Sequence, residues 1–511
     1  MLPYSLLLSE PARASVGLAL KQSLVLVDEA HNLPEAIRGL HSARLTLPVV
    51  RAALVQLAAY TQRYAQRLAG RNLLYLGQIR KCLRAMDRHL TQAKQEERRA
   101  MVGPGEFLHN LQLDHINLFK VVRYLDRSKL PQKLLGFTNA TVDQENNDQA
   151  TGLSKHVSAM AVVQTFMEKL TFTAQEGKIV TDVGGGLGRG GVAPPALRFV
   201  LLHPAKYMEA VLEQAHTVAL VGGTLRPFGH LAAELLPSYV SDAARADAGV
   251  WRSRSLTAYS GSHVVPPSHV CLERLSVGPT GQRLDFRHGR RHAVCDELGR
   301  VVLRLVQTVP AGVVVFLPSY AYEGHLVRHW RQSSCWQELQ RHKRLYREPK
   351  TSQDVERTLQ AYSRDAVGTG ALLLSVVGGK MSEGINFAND MARGVVVVGL
   401  PYPDLTDPEL QEKMRALDAG SSITGKAYYH NLCMRAVNQS VGRAIRHAQD
   451  HAAIVLADSR YNTDPRVWNS LPQWLKRSAD VSPNPNFHQS MERLNSFFEM
   501  HKTRSVSRNI S

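Results

Sequence analysis

The sequence has few cysteines, and no two of them stand close together. The five are Cys82, Cys271, Cys295, Cys335 and Cys433. None forms the C-x-x-C pair that begins many zinc and iron–sulfur sites. Their odd number and wide spacing also argue against a disulfide-stapled secreted domain and favour a protein of a reducing compartment.

Long hydrophobic runs and a targeting segment are lacking as well. No run approaches the roughly twenty apolar residues that span a bilayer. The N-terminal MLPYSLLLSE has no positively charged region of the kind that begins a signal peptide. We therefore expect a soluble, intracellular protein with no membrane-spanning segment.

Acidic residues are in the minority. The chain has 62 Lys and Arg against 44 Asp and Glu, which gives a formal net charge of +18. Such an excess favours a polyanionic partner such as nucleic acid, because binding releases counterions. An anionic membrane surface would explain the charge equally well.

A phosphate-binding loop of the form G-x-x-x-x-G-K-[ST] is also missing from the 511 residues. Gly186, Gly188 and Gly191 satisfy G-x-G-x-x-G, but a dinucleotide fingerprint must open a helix, and this one runs into two prolines. We interpret residues 182–195 and the polar stretch 141–152 as loops or linkers.

Short apolar, strand-like runs recur along the chain, from LVLV at 24–27 to AIVLAD at 453–458, and amphipathic helical stretches separate them. This alternation predicts an α/β fold with parallel sheets buried on both faces. From about residue 49 to 101 the sequence is helix-forming without a strand, which predicts a helical insertion.

The stretch LVLVDEAHNLPEAI contains an Asp-Glu-Ala-His box directly after a predicted strand. Asp28 and Glu29 then lie at the carboxyl end of a parallel strand, where α/β sheets bind ligands. Asp28 is placed to hold Mg²⁺, and Glu29 to orient or deprotonate water that attacks a γ-phosphate. A strand followed by an acidic helix start, with Asp28 as the N-cap, is the alternative.

The stretch NQSVGRAIRH is a second candidate site. Gln439, Arg443 and Arg446 are spaced i, i+4 and i+7, which predicts that all three project from one helical face. Arginines so placed can stabilise the charge of a phosphoryl-transfer transition state. A solvated basic face is the alternative, but Gly442 costs helix stability and favours close approach of another group.

Six motifs in order resemble motifs II to VI of superfamily 2 helicases of the XPD-like iron–sulfur group, and most closely the chromosome-loss (ChlR-type) DNA helicases. After the box they are VGGTLRP (221–227), VVVFLPSY (313–320), GGKMSEGINF (378–387), GLPYPD (399–404) and NQSVGRAIRH (438–447). The tail LPQWLK (471–476) fits the same branch.

This resemblance implies two RecA-like parallel-sheet motor lobes, the first of them incomplete and interrupted by a mainly helical Arch-type insertion. Residues 1–40 and 196–244 would form the partial first lobe with motifs II and III. Residues 41–195 would form the insertion and its linkers, and residues 245–511 the second lobe with motifs IV to VI.

By the same resemblance, Asp28 would bind magnesium, Glu29 would activate water, His31 would be a coupling residue, and Thr224 would belong to the relay between nucleotide and DNA. Five residues of the second lobe would lie near the nucleotide: Gln439, Arg443, Arg446, Glu383 and Gly384.

Ser319 and Tyr320 are candidate contacts to single-stranded DNA, because hydroxyls bind phosphates and an aromatic face can stack on a base. A buried tyrosine at a strand end is the alternative for Tyr320.

The resemblance further implies ATP with Mg²⁺, and a 4Fe-4S cluster whose ligands are absent from this chain. It implies an ATP-dependent DNA helicase of the nucleus that acts on single-stranded or forked DNA in sister-chromatid cohesion and DNA replication or repair, with cohesin and replication-fork proteins as partners. Since the phosphate loop and the four cluster cysteines precede the box in full-length members, we expect this chain alone to be inactive. The alternative is a non-catalytic DNA- or partner-binding remnant, or a gene-model fragment.

Overall fold

The computed structural model describes residues 1–97, 99–139, 158–184, 187–188, 191–236, 256–287, 292–349, 353–381, 387, 389–420, 423–478 and 486–508. The chain divides into two compact units. The first contains Met1–Ala244 and Thr406–Ser422, and the second contains Arg245–Leu405 and Ile423–Ser511. None of the helices in the described ranges is long and apolar enough to cross a membrane.

The first unit holds two kinds of sheet. Its strands are β1 (Leu24–Val27), β2 (Ala43–Thr46), β3 (Ala100–Val102), β4 (Gly177–Asp182), β5 (Leu187–Gly188), β6 (Gly191–Val192), β7 (Ala196–Leu201) and β8 (Thr217–Leu220). β1 and β8 pair in parallel. The order β2-β7-β4-β3 makes an antiparallel sheet. The sequence pattern did not predict this second sheet, because β2 and β3 are only four and three residues long and each pairs with a strand that lies far from it along the chain.

Helices make up most of the rest of the first unit. They are α1 (Tyr4–Leu8), α2 (Glu10–Ser15), α3 (Leu33–His41), α4 (Leu47–Tyr64), α5 (Gly70–Gln95), α6 (Pro104–Asn110), α7 (Leu118–Ser128), α8 (Leu130–Asn139), α9 (Ala159–Lys169), α10 (Ala205–Gln214) and α11 (Phe228–Leu235). The predicted helix-forming stretch is present as α4 and α5. α5 buries Leu76, Ile79, Leu83 and Met86, which are three or four residues apart on one face.

A parallel sheet is the centre of the second unit. Its strands are β9 (Val270–Leu275), β10 (Gly312–Leu317), β11 (Arg344–Arg347), β12 (Ala371–Val376), β13 (Gly394–Val398) and β14 (Ala452–Ala457), in the order β11-β12-β10-β13-β14-β9. Every residue of β10, β12, β13 and β14 is buried. Alternate residues enter two cores: Val314 belongs to one and Val315 to the other. The predicted α/β fold with strands buried on both faces is confirmed.

Helices cover both faces of this sheet. The helices that follow β9 along the chain are α12 (Cys295–Thr308), α13 (Tyr320–Gln332), α14 (Cys335–His342), α15 (Gln353–Val367), α16 (Pro408–Gly420), α17 (Gly425–Gly442), α18 (Arg460–Thr463), α19 (Pro465–Asn469), α20 (Gln473–Arg477) and α21 (Phe487–Arg508). Met434 and Val437 of α17 pack in one core, and Leu298 and Val302 of α12 pack in the other.

The segment Thr406–Ser422, which carries α16, belongs to the first unit although its neighbours along the chain belong to the second. We call this segment the hook. Glu409 of the hook accepts a hydrogen bond from Arg198 of β7 at 2.6 Å and pairs with Lys413 at 2.9 Å. Glu412 lies 3.4 Å from the ammonium of Lys178 on β4. Ion pairs therefore fasten the hook to the antiparallel sheet.

Candidate functional site

The box lies at the end of β1, where the chain turns sharply. Asp28 and Glu29 follow the buried Val27 and are both exposed. Glu29 has φ of 47°, a left-handed conformation that costs a residue other than glycine about 1–3 kcal/mol and is common at functional sites. The turn lets the N–H of Ala30 donate to the carbonyl of Val221, which follows β8, at 2.9 Å. The two carboxylates therefore lie at the carboxyl end of a parallel strand, as the sequence predicts.

Asp28 does not cap a helix through its side chain. Its carboxylate accepts from the adjacent N–H of Glu29 at 2.9 Å. The short 3-10 helix Ala30–Asn32 begins after Glu29 and has no side-chain cap. This geometry disfavours the N-cap alternative for Asp28, and it leaves the exposed carboxylate positioned to take a hard cation such as Mg²⁺.

His31 joins the box to the third motif. Its Nδ1 lies 3.1 Å from Oε2 of Glu29 and 3.3 Å from Oγ1 of Thr224. The side chain is only 10% exposed, so solvent does not easily replace either neighbour. In a neutral imidazole, Nδ1 either carries the proton and donates a hydrogen bond or lacks it and accepts one. The tautomer of His31 therefore decides whether Nδ1 donates to Glu29 or accepts from Thr224.

A glycine keeps this corner narrow. A Cβ added to Gly222 would lie 3.5 Å from Oε2 of Glu29 and 3.3 Å from the side chain of Leu225. The structure thus brings together four residues that sequence reasoning chose: Asp28, Glu29, His31 and Thr224. Their catalytic roles stay predictions.

The arginine motif of the second unit differs from its predicted geometry. α17 ends at Gly442, and Arg443 is its C-cap residue. Arg446 lies beyond the helix, so the prediction that Gln439, Arg443 and Arg446 share one helical face is wrong for Arg446. The physical reason is the low helix propensity of Gly442, which marks the end of the helix rather than a close approach within it.

Ser319 and Tyr320 are the N-cap and the first residue of α13, and both already have local partners. The hydroxyl of Ser319 caps α13 by accepting from the N–H of Tyr322 at 3.2 Å. The hydroxyl of Tyr320 donates to Oε1 of Glu348 at 2.9 Å. Burial, together with the neighbouring Glu348 carboxylate, raises the pKa of Tyr320 to about 12. Glu383 and Gly384, the remaining predicted residues of this unit, lie outside the described residues.

Glu348 is a residue that sequence reasoning missed. It is 7% exposed and follows β11. Besides Tyr320, its carboxylate accepts from the hydroxyl of Ser375 at 2.7 Å and from the N–H groups of Val376 and Met381 at 2.8 and 3.0 Å. A Cβ on Gly379 would lie 2.2 Å from Oε1 of Glu348. Glu348 therefore ties the start of the motif GGKMSEGINF to the residue that follows VVVFLPS.

The cysteines do not form a ligand set for an iron–sulfur cluster. Cys82 lies in the first unit, buried on α5. In the second unit, Cys433 and Cys295 belong to the cores on opposite faces of the parallel sheet. A 4Fe-4S cluster needs four thiolates around one centre, so these residues do not fit that group.

A basic groove of about 500 Å³ lies along α5, lined by Gly77, Arg80, Lys81, Arg84, Asp87 and Arg88. Its one carboxylate, on Asp87, accepts from Arg51 at 2.8 Å. Arg80, Arg84 and Arg88 are exposed and have no acidic partner among the residues that the structure describes. Cations four residues apart on a helix form a continuous positive surface suited to a polyanion.

Two family models match the chain: DEAD_2 at residues 1–49, and the helicase C-terminal domain at residues 302–478. The chain is 36% identical to the mouse ATP-dependent DNA helicase DDX11, over 94% of this chain and 57% of the mouse protein. It is 37% identical to the zebrafish protein of the same name, over 94% of this chain and 58% of the zebrafish protein. It thus spans a little over half the length of these relatives. It is 34% identical to the ATP-dependent DNA helicase chl1 of Aspergillus clavatus, over 94% of the chain and 67% of the relative.

Solved structures share the fold at low sequence identity. The structure of S. tokodaii Xpd4 matches with a TM-score of 0.57 and 16% identity, covering 93% of this chain and 81% of that one. A structure of XPD without ligand matches with a TM-score of 0.51, 16% identity, and coverage of 94% and 80%. The predicted relation to XPD-like helicases is confirmed, and the chain belongs to the DDX11 and CHL1 family of ATP-dependent DNA helicases.

Proposed function

We propose that the chain is part of an ATP-dependent DNA helicase that couples phosphoryl transfer at the box to movement on single-stranded DNA. The observation that carries this proposal is the position of His31, within 3.1 Å of Glu29 and 3.3 Å of Thr224. This histidine connects the proposed water-activating carboxylate to a hydroxyl that follows the adjacent parallel strand. A change in the hydrogen bond between His31 and Thr224 therefore affects the contact between His31 and Glu29.

In this mechanism the residues of the candidate site position the reacting groups and stabilise the negative charge on the phosphates. Asp28 would hold magnesium, and a bound magnesium ion neutralises charge on the phosphates. Glu29 orients the attacking water and accepts its proton. Arg443 and Arg446 are proposed to face the phosphates, where arginines stabilise transition-state charge. Gln439, Glu383 and Gly384 are proposed to lie near the same nucleotide.

The proposed DNA contacts are of two kinds. The groove along α5 supplies positive charge that would follow a phosphate backbone. Ser319 and Tyr320 would contact the strand near the start of α13. Since Tyr320 already donates to Glu348, its aromatic face is the part left to stack on a base.

The finer biological assignment follows the relatives. Because the chain is similar to DDX11 and CHL1 helicases, we propose a nuclear protein that acts in sister-chromatid cohesion and in DNA replication or repair, on single-stranded or forked DNA. Cohesin and replication-fork proteins are the proposed partners.

The transcript sequence upstream of Met1 is the first test. The helicase proposal expects a G-x-x-x-x-G-K-[ST] loop and four spaced cysteines there. A product that carries them should release phosphate with DNA stimulation, and Glu29→Gln should lower its turnover by about a hundredfold or more. Turnover that Glu29→Gln leaves unchanged would contradict the assigned role of Glu29.

The 511-residue chain by itself is the second test. Its residues contain no phosphate loop of this form, so we expect no DNA-stimulated turnover above that of its Glu29→Gln variant. Robust turnover that Glu29→Gln abolishes would show that nucleotide binds by another route. An upstream sequence without the loop would favour the second candidate function, a non-catalytic DNA- or partner-binding protein.

A further inference from the structure

Three side chains with metal-binding atoms meet in the second unit, and none of them is a proposed nucleotide or DNA contact. They are His292 and Cys295, at the start of α12, and His325, on the second turn of α13. One ligand atom from each lies within 4.8 Å of the others. The sequence pattern did not reveal this cluster, since His325 is thirty residues from Cys295 and the pair His292 and Cys295 is only one histidine and one cysteine three residues apart.

The backbones that carry two of the three ligands are firmly held. Cys295 and Trp330 are both 0% exposed, and the indole N–H of Trp330 on α13 donates to the carbonyl of Cys295 at 2.9 Å. A Cβ on Gly299 of α12 would lie 2.9 Å from the same indole nitrogen. This close packing fixes Cys295 relative to His325, so two ligands are already placed before any ion binds.

The third ligand has room to adjust. His292 is exposed, and its ring lies 4.0 Å from the ring of His325 at an interplanar angle of 68°. Zinc binds imidazole nitrogen at about 2.0–2.1 Å and thiolate sulfur at about 2.3 Å, so the ligand atoms of a tetrahedral site stand roughly 3.3–3.8 Å apart. The three ligand atoms lie within 4.8 Å of one another, and rotation of the exposed His292 side chain would bring its ring nitrogen closer to the other two.

The donor set selects the class of ion. Two imidazoles and one thiolate suit zinc and similar transition metals, whereas magnesium and calcium take oxygen ligands. With three protein ligands, the fourth position is left to water or another small donor.

Neighbouring groups complete the surroundings of the cluster. His329, one turn after His325 on α13, lies with Nε2 2.7 Å from a carboxylate oxygen of Asp296. Burial raises the pKa of the Cys295 thiol, a hydrogen bond with Tyr322 opposes that rise, and Asp296 adds to it. A bound cation would favour the thiolate, and the Asp296 carboxylate adds negative charge beside it.

We propose that His292, Cys295 and His325 form a zinc-binding site that ties the start of α12 to α13. None of its three ligands has a part in the proposed helicase chemistry. A bound ion would hold α13 in place relative to α12. The first residue of α13, Tyr320, donates a hydrogen bond to Glu348.

Metal content and cobalt spectroscopy of the full 511-residue chain test the proposal. We expect about one zinc per chain after growth with zinc. After removal of zinc with a chelator, Co²⁺ should give a thiolate-to-cobalt charge-transfer band and the visible bands of a tetrahedral site, and zinc should displace it. Magnesium should neither compete nor raise the melting temperature.

Matched variants identify the ligands. Cys295→Ser should abolish the charge-transfer band, and His292→Asn should weaken cobalt affinity by at least about tenfold. Cys271→Ser, which changes a half-buried thiol of β9, should leave both unchanged. Because His292 is exposed, its replacement leaves the fold intact and decides the matter even if Cys295→Ser unfolds. Absence of the cobalt band in the unmodified chain, or its persistence in a folded Cys295→Ser protein, would overturn the proposal.

Discussion

The hydroxyl of Tyr320 donates to Oε1 of Glu348 at 2.9 Å, and the same oxygen accepts the N–H of Met381 at 3.0 Å. One buried carboxylate thus connects the stretch VVVFLPSY (313–320) to the stretch GGKMSEGINF (378–387). Glu348 is 7% exposed, so each of these hydrogen bonds is made away from solvent, where a donor or acceptor without a partner is costly.

Replacing Glu348 tests this connection. Glu348→Gln places an amide N–H₂ where donors now point, which should lower the free energy of unfolding of the second unit by about 1–3 kcal/mol. All five tryptophans of the sequence lie in this unit, so urea unfolding followed by tryptophan fluorescence measures the effect. Tyr320→Phe removes one hydrogen bond of several and should cost about 0.5–1.5 kcal/mol. An equal or larger loss for Tyr320→Phe would contradict the central place of Glu348.

The parallel sheet was predictable from sequence, and the antiparallel sheet was not. Runs such as VVVF and VVVV are buried on both faces, and that environment alone accounts for an unbroken apolar run. β2 instead alternates buried and less buried residues over only four positions, and β7 has a single half-buried residue among buried ones. Their pairing joins Ala43 to Phe199, a relationship that no local pattern records.

The ion pairs of the hook give a second prediction. Burial alone would raise the pKa of Glu409, but Lys413 and Arg198 lower it below its ordinary value. Glu409→Gln should therefore weaken the attachment of the hook to the antiparallel sheet by about 1 kcal/mol. Amide hydrogen exchange across Pro408–Gly420 should become several-fold faster. High salt should reduce the difference, because salt screens partly exposed pairs.

Arg415 provides the control for the hook. Its side chain is 72% exposed, and its one ion pair among the residues that the structure describes is with Glu412 of the same helix. Arg415→Gln should leave the exchange of α16 nearly unchanged. If it speeds exchange as much as Glu409→Gln does, helix propensity rather than attachment to the antiparallel sheet explains both results.

Acid should destabilise the second unit through His451. Burial, together with the neighbouring Arg393, His501 and His269, lowers its pKa to about 3, although Asp450 opposes this shift. A histidine with a lowered folded pKa stabilises the fold fully above its unfolded value near 6.5 and loses that contribution as pH falls below it.

The pH dependence of tryptophan-monitored unfolding between pH 7.5 and 5 measures this effect. The stability of the unmodified chain should fall over this range, and the stability of His451→Gln should fall less steeply, by up to about 1.4 kcal/mol per pH unit. Parallel curves for the two proteins would show that another group takes up the proton.

The candidate site was predictable where the residues are close along the chain or belong to known motifs. Asp28, Glu29 and His31 lie within one turn, and Thr224 belongs to a motif quoted for the resemblance and contacts His31. Glu348 was missed because its partners are 27 to 33 residues away along the chain and lie in other segments of the fold. The geometry of Arg446 was wrong because helical spacing does not show where a helix ends.

The groove along α5 provides the variants for the test of DNA binding. We define the groove variant as the triple change Arg80→Glu, Arg84→Glu and Arg88→Glu. All three side chains are exposed, so the fold should tolerate the reversal of charge.

The control variant carries the same change of charge on another helix of the first unit. It combines Lys120→Glu, Arg123→Glu and Arg127→Glu, three exposed residues of α7 that do not line the groove. Comparing the two variants separates a defined track from the effect of net charge alone.

Binding of fluorescent single-stranded DNA to the 511-residue chain, measured by anisotropy from low to physiological salt, tests the account most directly. We predict weak binding that falls steeply with salt. In the groove variant, affinity at low salt should fall at least about tenfold. The slope of log affinity against log salt concentration should decrease by about 0.7 for each phosphate that the protein no longer neutralises. Both changes should be much smaller in the control variant. No binding at low salt, a flat salt dependence, or equal decreases in the two variants would contradict the proposal that this chain carries a nucleic-acid track.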